Sequence, residues 1–146
     1  MQVAVLYLRP RAQRALRGAG ALQRAPRDSF VFNTKVGRTL RPDPSCRNAK
    51  PGGWRHGAHF TFAFDYSAAG FRGQLADSLM RTGLGRVDTL VIHDLEPVAH
   101  RDAEDPTGER NCAAHLEVLR RSGFDELCGM RAAGTIVAFG AGVNAD

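Results

Sequence analysis

Val87-Asp88-Thr89-Leu90-Val91-Ile92 runs directly into His93-Asp94-Leu95-Glu96-Pro97. The run is short, rich in β-branched residues, and stops abruptly at polar groups and a proline. Two other segments have the same form: Phe30-Val31-Phe32 passes into Asn33-Thr34-Lys35, and Ile136-Val137-Ala138-Phe139 into Gly140-Ala141-Gly142. Near-continuous apolar runs of this length, without apolar/polar alternation, suit parallel strands covered on both faces.

Helical spacing fills the intervals. In Ser67 to Thr82 the apolar Phe71, Leu75 and Leu79 recur every four residues. Asp65 or Ser67 is suited to cap the start, and Gly83 to end it in the left-handed conformation. From about Ala113 to Ala133 the apolar residues predict two shorter helices, broken at Ser122-Gly123 and closed by Gly134. A further helix is expected over Pro10 to Gln23, with Gly18 and Gly20 each costing about 1 kcal/mol. Thr39 to Ala58 and Leu95 to Asn111 read as long irregular loops, each following the polar end of a strand. The order helix, strand, loop, helix, strand, loop, helix, strand is the rhythm of a parallel α/β sheet.

The composition narrows the function classes. The chain has 146 residues, enough for one domain, and 43% apolar with 24% charged residues is ordinary globular usage. The net charge of +5 is almost entirely arginine, because Lys35 and Lys50 are the only lysines, and the arginines are spread over the whole length. Nucleic-acid binders concentrate basic residues on one face among aromatics, so no nucleic-acid partner is expected. Cys46, Cys112 and Cys128 form no zinc spacing and no even disulfide set, so neither a metal nor a disulfide framework is expected. The apolar start, Met1 to Leu8, is too short to span a membrane and lacks a preceding basic region; the expected compartment is the reducing cytosol.

In parallel α/β folds, reacting groups sit where strands end, because there the loops converge on rigid supports. Lys35 and His93 both occupy that position on consecutive strands. If those strands are neighbours, about 4.8 Å apart, both side chains can face one cavity. A lysine stabilises a nearby phenolate and an imidazole can hold a carbonyl oxygen, which suits proton transfer coupled to hydride transfer.

Longer words around these residues resemble one family. Phe32-Asn33-Thr34-Lys35-Val36-Gly37-Arg38 is similar to the aldo-keto reductase strand that bears the catalytic lysine. Asp65-Tyr66-Ser67 and Asp77 to Asp88 resemble that family's next helix and its turn into a strand. Leu90 to Pro97 resembles the strand with the catalytic histidine, in the His-Asp form of the D-threo-aldose 1-dehydrogenase and L-fucose dehydrogenase branch. Leu127 to Asn144 resembles the helix and strand leading to the asparagine that binds the nicotinamide carboxamide. The words occur in family order from about Asp28 to Asn144.

The resemblance implies an α/β fold, an incomplete (β/α)8 TIM barrel in which residues 1–146 supply about the second to fifth strands. It implies NAD or NADP as cofactor and an aldose sugar or related aldehyde or alcohol as substrate. Lys35 would lower the pKa of a catalytic tyrosine, His93 would orient the substrate oxygen, and Asn144 would bind the carboxamide. Tyr7 lies near the family's distance for that tyrosine, with Leu8 where glycine is expected and Gln2 where the family has aspartate. Tyr66 matches a helix-start word instead. A whole barrel takes about 250 residues, and Gly140-Ala141-Gly142 lacks the spaced glycine of a dinucleotide fingerprint. The competing expectation is therefore a truncated, catalytically inactive fragment that self-associates through open barrel edges.

Overall fold

The computed structural model describes residues 19–43 and 60–144. Three parallel strands, β1 (Asn33–Val36), β4 (Thr89–His93) and β5 (Ala138–Gly142), form one sheet in the order β1-β4-β5. The register pairs Lys35 with Val91 and His93 with Gly142. An antiparallel pair, β2 (Arg38–Pro42) and β3 (Phe60–Phe64), branches from the end of β1. This is a portion of a (β/α)8 architecture: the described strands make an open sheet and do not close into a barrel.

Each parallel strand begins two or three residues later than its apolar run. Phe32, Asp88 and Val137 lead into the ladder: the amides of Asp88 and Thr89 donate to the Phe32 carbonyl, and those of Val137 and Ala138 to the Asp88 carbonyl. The Asp88 carboxylate locks that start by accepting from the Phe32 amide at 2.6 Å and from Arg27 at 2.6 Å. The ladder thereby runs on through the polar residues, which brings Lys35 and His93 inside their strands.

Coverage on both faces, expected from the apolar runs, is found among the described residues on one face only. Thr34, Val36, Leu90 and Ile92 are buried against the helices, whereas Asn33, Lys35, Thr89, Val91 and His93 lie on the opposite, half-exposed face. Val31 and Val137, at the strand entrances, are 57% and 74% exposed. The core therefore sits between sheet and helices, where Phe32, Phe71, Leu90 and Leu127 are fully enclosed. Each such side chain contributes about 1.5–3 kcal/mol by leaving water.

The principal helix, α2 (Ala68–Thr82), has the expected limits. Ser67 Oγ accepts from the Gly70 amide, and Asp65 Oδ1 accepts from both the amide and hydroxyl of Ser67, so the two candidate caps act together. Gly83, at φ 64°, ends the helix with its amide on the Leu79 carbonyl. The expected break at Ser122-Gly123 is a π-helical turn over Leu119–Gly123, joining α3 (Glu109–Val118) to α4 (Phe124–Ala132) without an interruption. Gly123 explains the location: a Cβ there would lie 2.1 Å from the Tyr66 carbonyl oxygen.

Both long loops contain structure. Thr39 to Ala58 begins in β2, whose partner β3 shows period-two spacing in Phe60, Phe62 and Phe64; the residues between lie outside those described. Leu95 to Asn111 holds a short 3-10 turn at Pro97–His100 and an aspartate-knotted bend. There Asp105 accepts from the amides of Gly108 and Asn111 at the start of α3. The expected helix over Pro10 to Gln23 survives in the described residues as α1 (Ala19–Arg24), and the rest of it lies outside them.

Candidate active site

Lys35 and His93 project from one face of adjoining strands. Lys35 is level with Val91, and side chains alternate along a strand, so His93, two residues beyond Val91, points to the same side. On β5 that side carries Gly140, opposite Val91, and Gly142, opposite His93. A Cβ at Gly140 would meet nothing within 4 Å, and one at Gly142 would sit 3.7 Å from Lys35 Cε and 3.0 Å from Val91 Cγ1. The Lys35 stem thus reaches over β4 toward a floor of bare glycine backbone.

His93 is held by its neighbours. Its Nε2 lies 3.1 Å from Asp94 Oδ2, and the same oxygen accepts from Arg38 at 2.5 Å. Arg38 is itself fixed over the Phe62 and Phe64 rings, 4.6 and 5.2 Å from their centroids. Asp94 takes a left-handed φ of 48°, which aspartate tolerates better than most residues, and its amide continues the ladder to the Gly142 carbonyl. Burial first, then the Arg38 charge and, more weakly, Lys35, push the imidazole down to about 4 against the opposing pull of Asp94 and Glu96. The ring is neutral at neutral pH.

Asn144 follows the end of β5 and is anchored by Glu96. The Glu96 carboxylate, buried just beyond β4, accepts from the Asn144 amide at 2.6 Å and from its side-chain Nδ2 at 2.8 Å. A carboxylate only accepts, so the Asn144 side chain must turn its NH2 inward and present its Oδ1 acceptor outward. The sequence reading passed over both Glu96 and Arg38 as site residues. Their position was visible, since each lies three residues beyond a strand-end residue already singled out, Arg38 after Lys35 and Glu96 after His93; their partners were not.

Tyr66 is enclosed on the other side of this layer. Its hydroxyl donates to the His93 carbonyl at 2.9 Å and lies 3.3 Å from His100 Nε2. Burial raises its pKa well above the ordinary phenol value, so it stays protonated. It supports the backbone of His93 and does not enter the Lys35 face. Tyr7 lies outside the described residues. Among the described residues no group of histidine, cysteine or acidic side chains is arranged to hold a metal, and no helix is long and apolar enough to cross a membrane.

Known proteins with related sequences are dehydrogenases. Pyridoxal 4-dehydrogenase of Microbacterium luteolum is 39% identical over 116 residues, covering 79% of this chain and 31% of that protein. D-threo-aldose 1-dehydrogenase of a Pseudomonas species is 35% identical over 127 residues, covering 83% of this chain and 33% of that protein. The chain thus spans about a third of the length of the curated relatives it matches. In fold, 86% of it superposes on 30% of the holo form of an aldo-keto reductase from Bacillus halodurans, with a TM-score of 0.50 at 17% identity. No family model matches the chain.

Proposed function

We propose, from the premise that this chain is related in sequence and fold to the aldo-keto reductases, that it serves NAD(P)-linked hydride transfer between a nicotinamide and an aldose or similar aldehyde or alcohol. The observation that carries the reading is the convergence of Lys35 and His93 on one face, beside a strand whose facing positions are glycine.

The residues present suit the nicotinamide end of such a cofactor. Glycine at positions 140 and 142 leaves the flat space an aromatic ring needs, and the Asn144 Oδ1, steadied by Glu96, is an acceptor for a carboxamide NH2. When bound, the nicotinamide supplies the position that accepts or returns hydride. The chain's own groups manage the proton and the orientation. Tyr7 is the proposed proton donor and acceptor, and the Lys35 ammonium stabilises its phenolate. His93, neutral and held by Asp94, orients the substrate oxygen. Incubating the full chain with an aldose or pyridoxal and either nucleotide tests this: a rise in the reduced-nicotinamide absorbance is expected, and none with any pair would refute it.

A second reading is a chain without catalysis of its own, which self-associates. It is favoured by the exposure of Val31 and Val137 and by the free edges of β1 and β5 among the described strands. A compact monomer in size-exclusion chromatography would speak against it.

A further inference from the structure

Rings from separate segments meet behind the end of β4. His100 closes the Pro97–His100 turn, and its ring centroid lies 4.1 Å from Phe64 of β3, 5.9 Å from Tyr66 and 4.7 Å from His115 of α3. His115 completes the group at 5.6 Å from Phe64 and 5.3 Å from Tyr66. His100 is buried, and hydride transfer as proposed above uses neither imidazole.

The cluster reaches the site along two routes. Tyr66 donates its hydroxyl to the His93 carbonyl at 2.9 Å and lies 3.3 Å from His100 Nε2. Glu96, which anchors Asn144, is the residue from which the Pro97–His100 turn starts. The turn is tied to α3 by Asn111, whose Nδ2 donates to the His100 carbonyl at 3.0 Å. A displacement of the turn from α3 is therefore felt at Asn144 and at the backbone of His93.

We propose that His100 and His115 form a proton-sensitive latch: their neutral rings hold the Pro97–His100 turn on α3, and protonation of both drives the turn off, loosening Glu96 from Asn144 and His100 from the Tyr66 hydroxyl. Two neutral imidazoles pack closely against Phe64, whereas two imidazolium ions 4.7 Å apart repel, because little water lies beside the buried ring to screen them. Burial first, then His115 from α3 and Arg38 from β2, oppose a proton on His100, against the pull of Asp94 at the end of β4. Burial opposes one on His115, against Asp65. The Tyr66 phenol and the thiol of Cys112, which precedes His115 on α3, are kept protonated chiefly by burial, with Glu96 acting in the same direction on both. The latch therefore opens below the ordinary imidazole value of 6.5. The core of Phe32, Phe71, Leu90 and Leu127 contains neither imidazole and stays packed, so opening is local, as in other histidine-based switches.

The test is an NMR titration of the carbon-13- and nitrogen-15-labelled full chain from neutral pH downward, with the histidine rings and the Asn144 side-chain amide assigned through backbone connectivities. His100 and His115 should titrate below 6.5, and the Asn144 amide should lose its Glu96-bonded shift in the same step as His100, while far-UV circular dichroism holds. His115→Phe keeps a ring and removes a charge, and should raise the His100 midpoint. In His100→Phe the Asn144 signal should persist to lower pH. Titration of the two rings at the ordinary value, or an Asn144 signal that stays fixed while His100 titrates, would overturn the proposal. So would loss of that signal together with the circular dichroism, which is global unfolding, or an Asn144 midpoint unmoved in His100→Phe, which is Glu96 titrating by itself. The wild-type titration decides the matter even if a variant fails to fold. No nucleotide or substrate enters the measurement, so its outcome is separate from that of hydride transfer.

Discussion

Gly142 lies opposite His93 in the β4–β5 register, and the space where its side chain would begin is 3.7 Å from Lys35 Cε. The two strand ends and the lysine stem are therefore packed around an absence of side chain. Gly142→Val would put branched carbons into that space and push the Lys35 ammonium aside. Because displacements of this kind cost roughly a hundredfold in rate, turnover should fall by that order, out of proportion to the modest loss of stability from the new contact with Val91 Cγ1. Unchanged turnover would mean that the lysine is not used where it lies.

Lys35→Met removes the ammonium and keeps the stem. Lys35 is half-exposed on the uncovered face and outside the core, so stability should hardly change. A group that assists proton transfer contributes about 10²–10⁴-fold, and the nucleotide-linked rate should drop within that range. A variant as active as the wild type would remove Lys35 from the mechanism.

Stability should depend on pH through His93. The unfolded chain binds its proton near the ordinary value of 6.5, the folded chain only at about 4. Between these values the unfolded state carries more protons, so stability is complete above about 6.5 and is lost progressively as pH falls toward 4. His100 and His115, both lowered chiefly by burial, act in the same direction. Denaturant midpoints measured across this range should rise with pH, and His93→Gln should flatten the slope without abolishing it.

Asp88 governs a lower window. Burial alone would raise its pKa, but the Phe32 amide and Arg27 outweigh that and hold it below the ordinary 3.8. Its contribution is therefore present above about 3.8 and lost as pH falls through the folded value. Asp88→Asn should cost about 1–3 kcal/mol at neutral pH, as expected for lost hydrogen bonds to a charged group. The same variant should no longer show Asp88's share of the acid loss, and a wild-type acid profile in Asp88→Asn would count against this role.

Gly37 turns the chain from β1 into β2 at φ 116°, with its missing Cβ 2.6 Å from Tyr66 Cε1. Alanine there meets both backbone strain and the ring, for a cost of about 2–4 kcal/mol. Equilibrium denaturation of Gly37→Ala should show that loss, and a midpoint equal to the wild type would contradict the tight packing of Tyr66.

The pattern of α2 was legible because its determinants are local: the four-residue spacing, Ser67 and Gly83 act within the segment itself. The alternation of parallel strands with helices was legible for a similar reason, whereas the order β1-β4-β5, which the sequence supports only as a condition, is supplied by the ladder. The antiparallel pair went unseen because β2 and β3 recognise each other across residues 43–59, although Phe60, Phe62 and Phe64 carried the alternating signal. The helix break became a π-helical turn because what fits at Gly123 is decided by the Tyr66 carbonyl, far away in sequence.

By itself the sequence determined the alternation of strands and helices and put Lys35 and His93 at strand ends, because periodicity and turn chemistry are properties of neighbours along the chain. Only the tertiary structure decided which nitrogen of His93 is engaged, that Glu96 anchors Asn144, and that Tyr66 supports the His93 carbonyl from behind. Apart from the His93–Asp94 contact between neighbours, which Arg38 fixes from 56 residues away, those relations join groups tens of residues apart, whose hydrogen bonds and charges take effect once folding has brought them within a few ångströms.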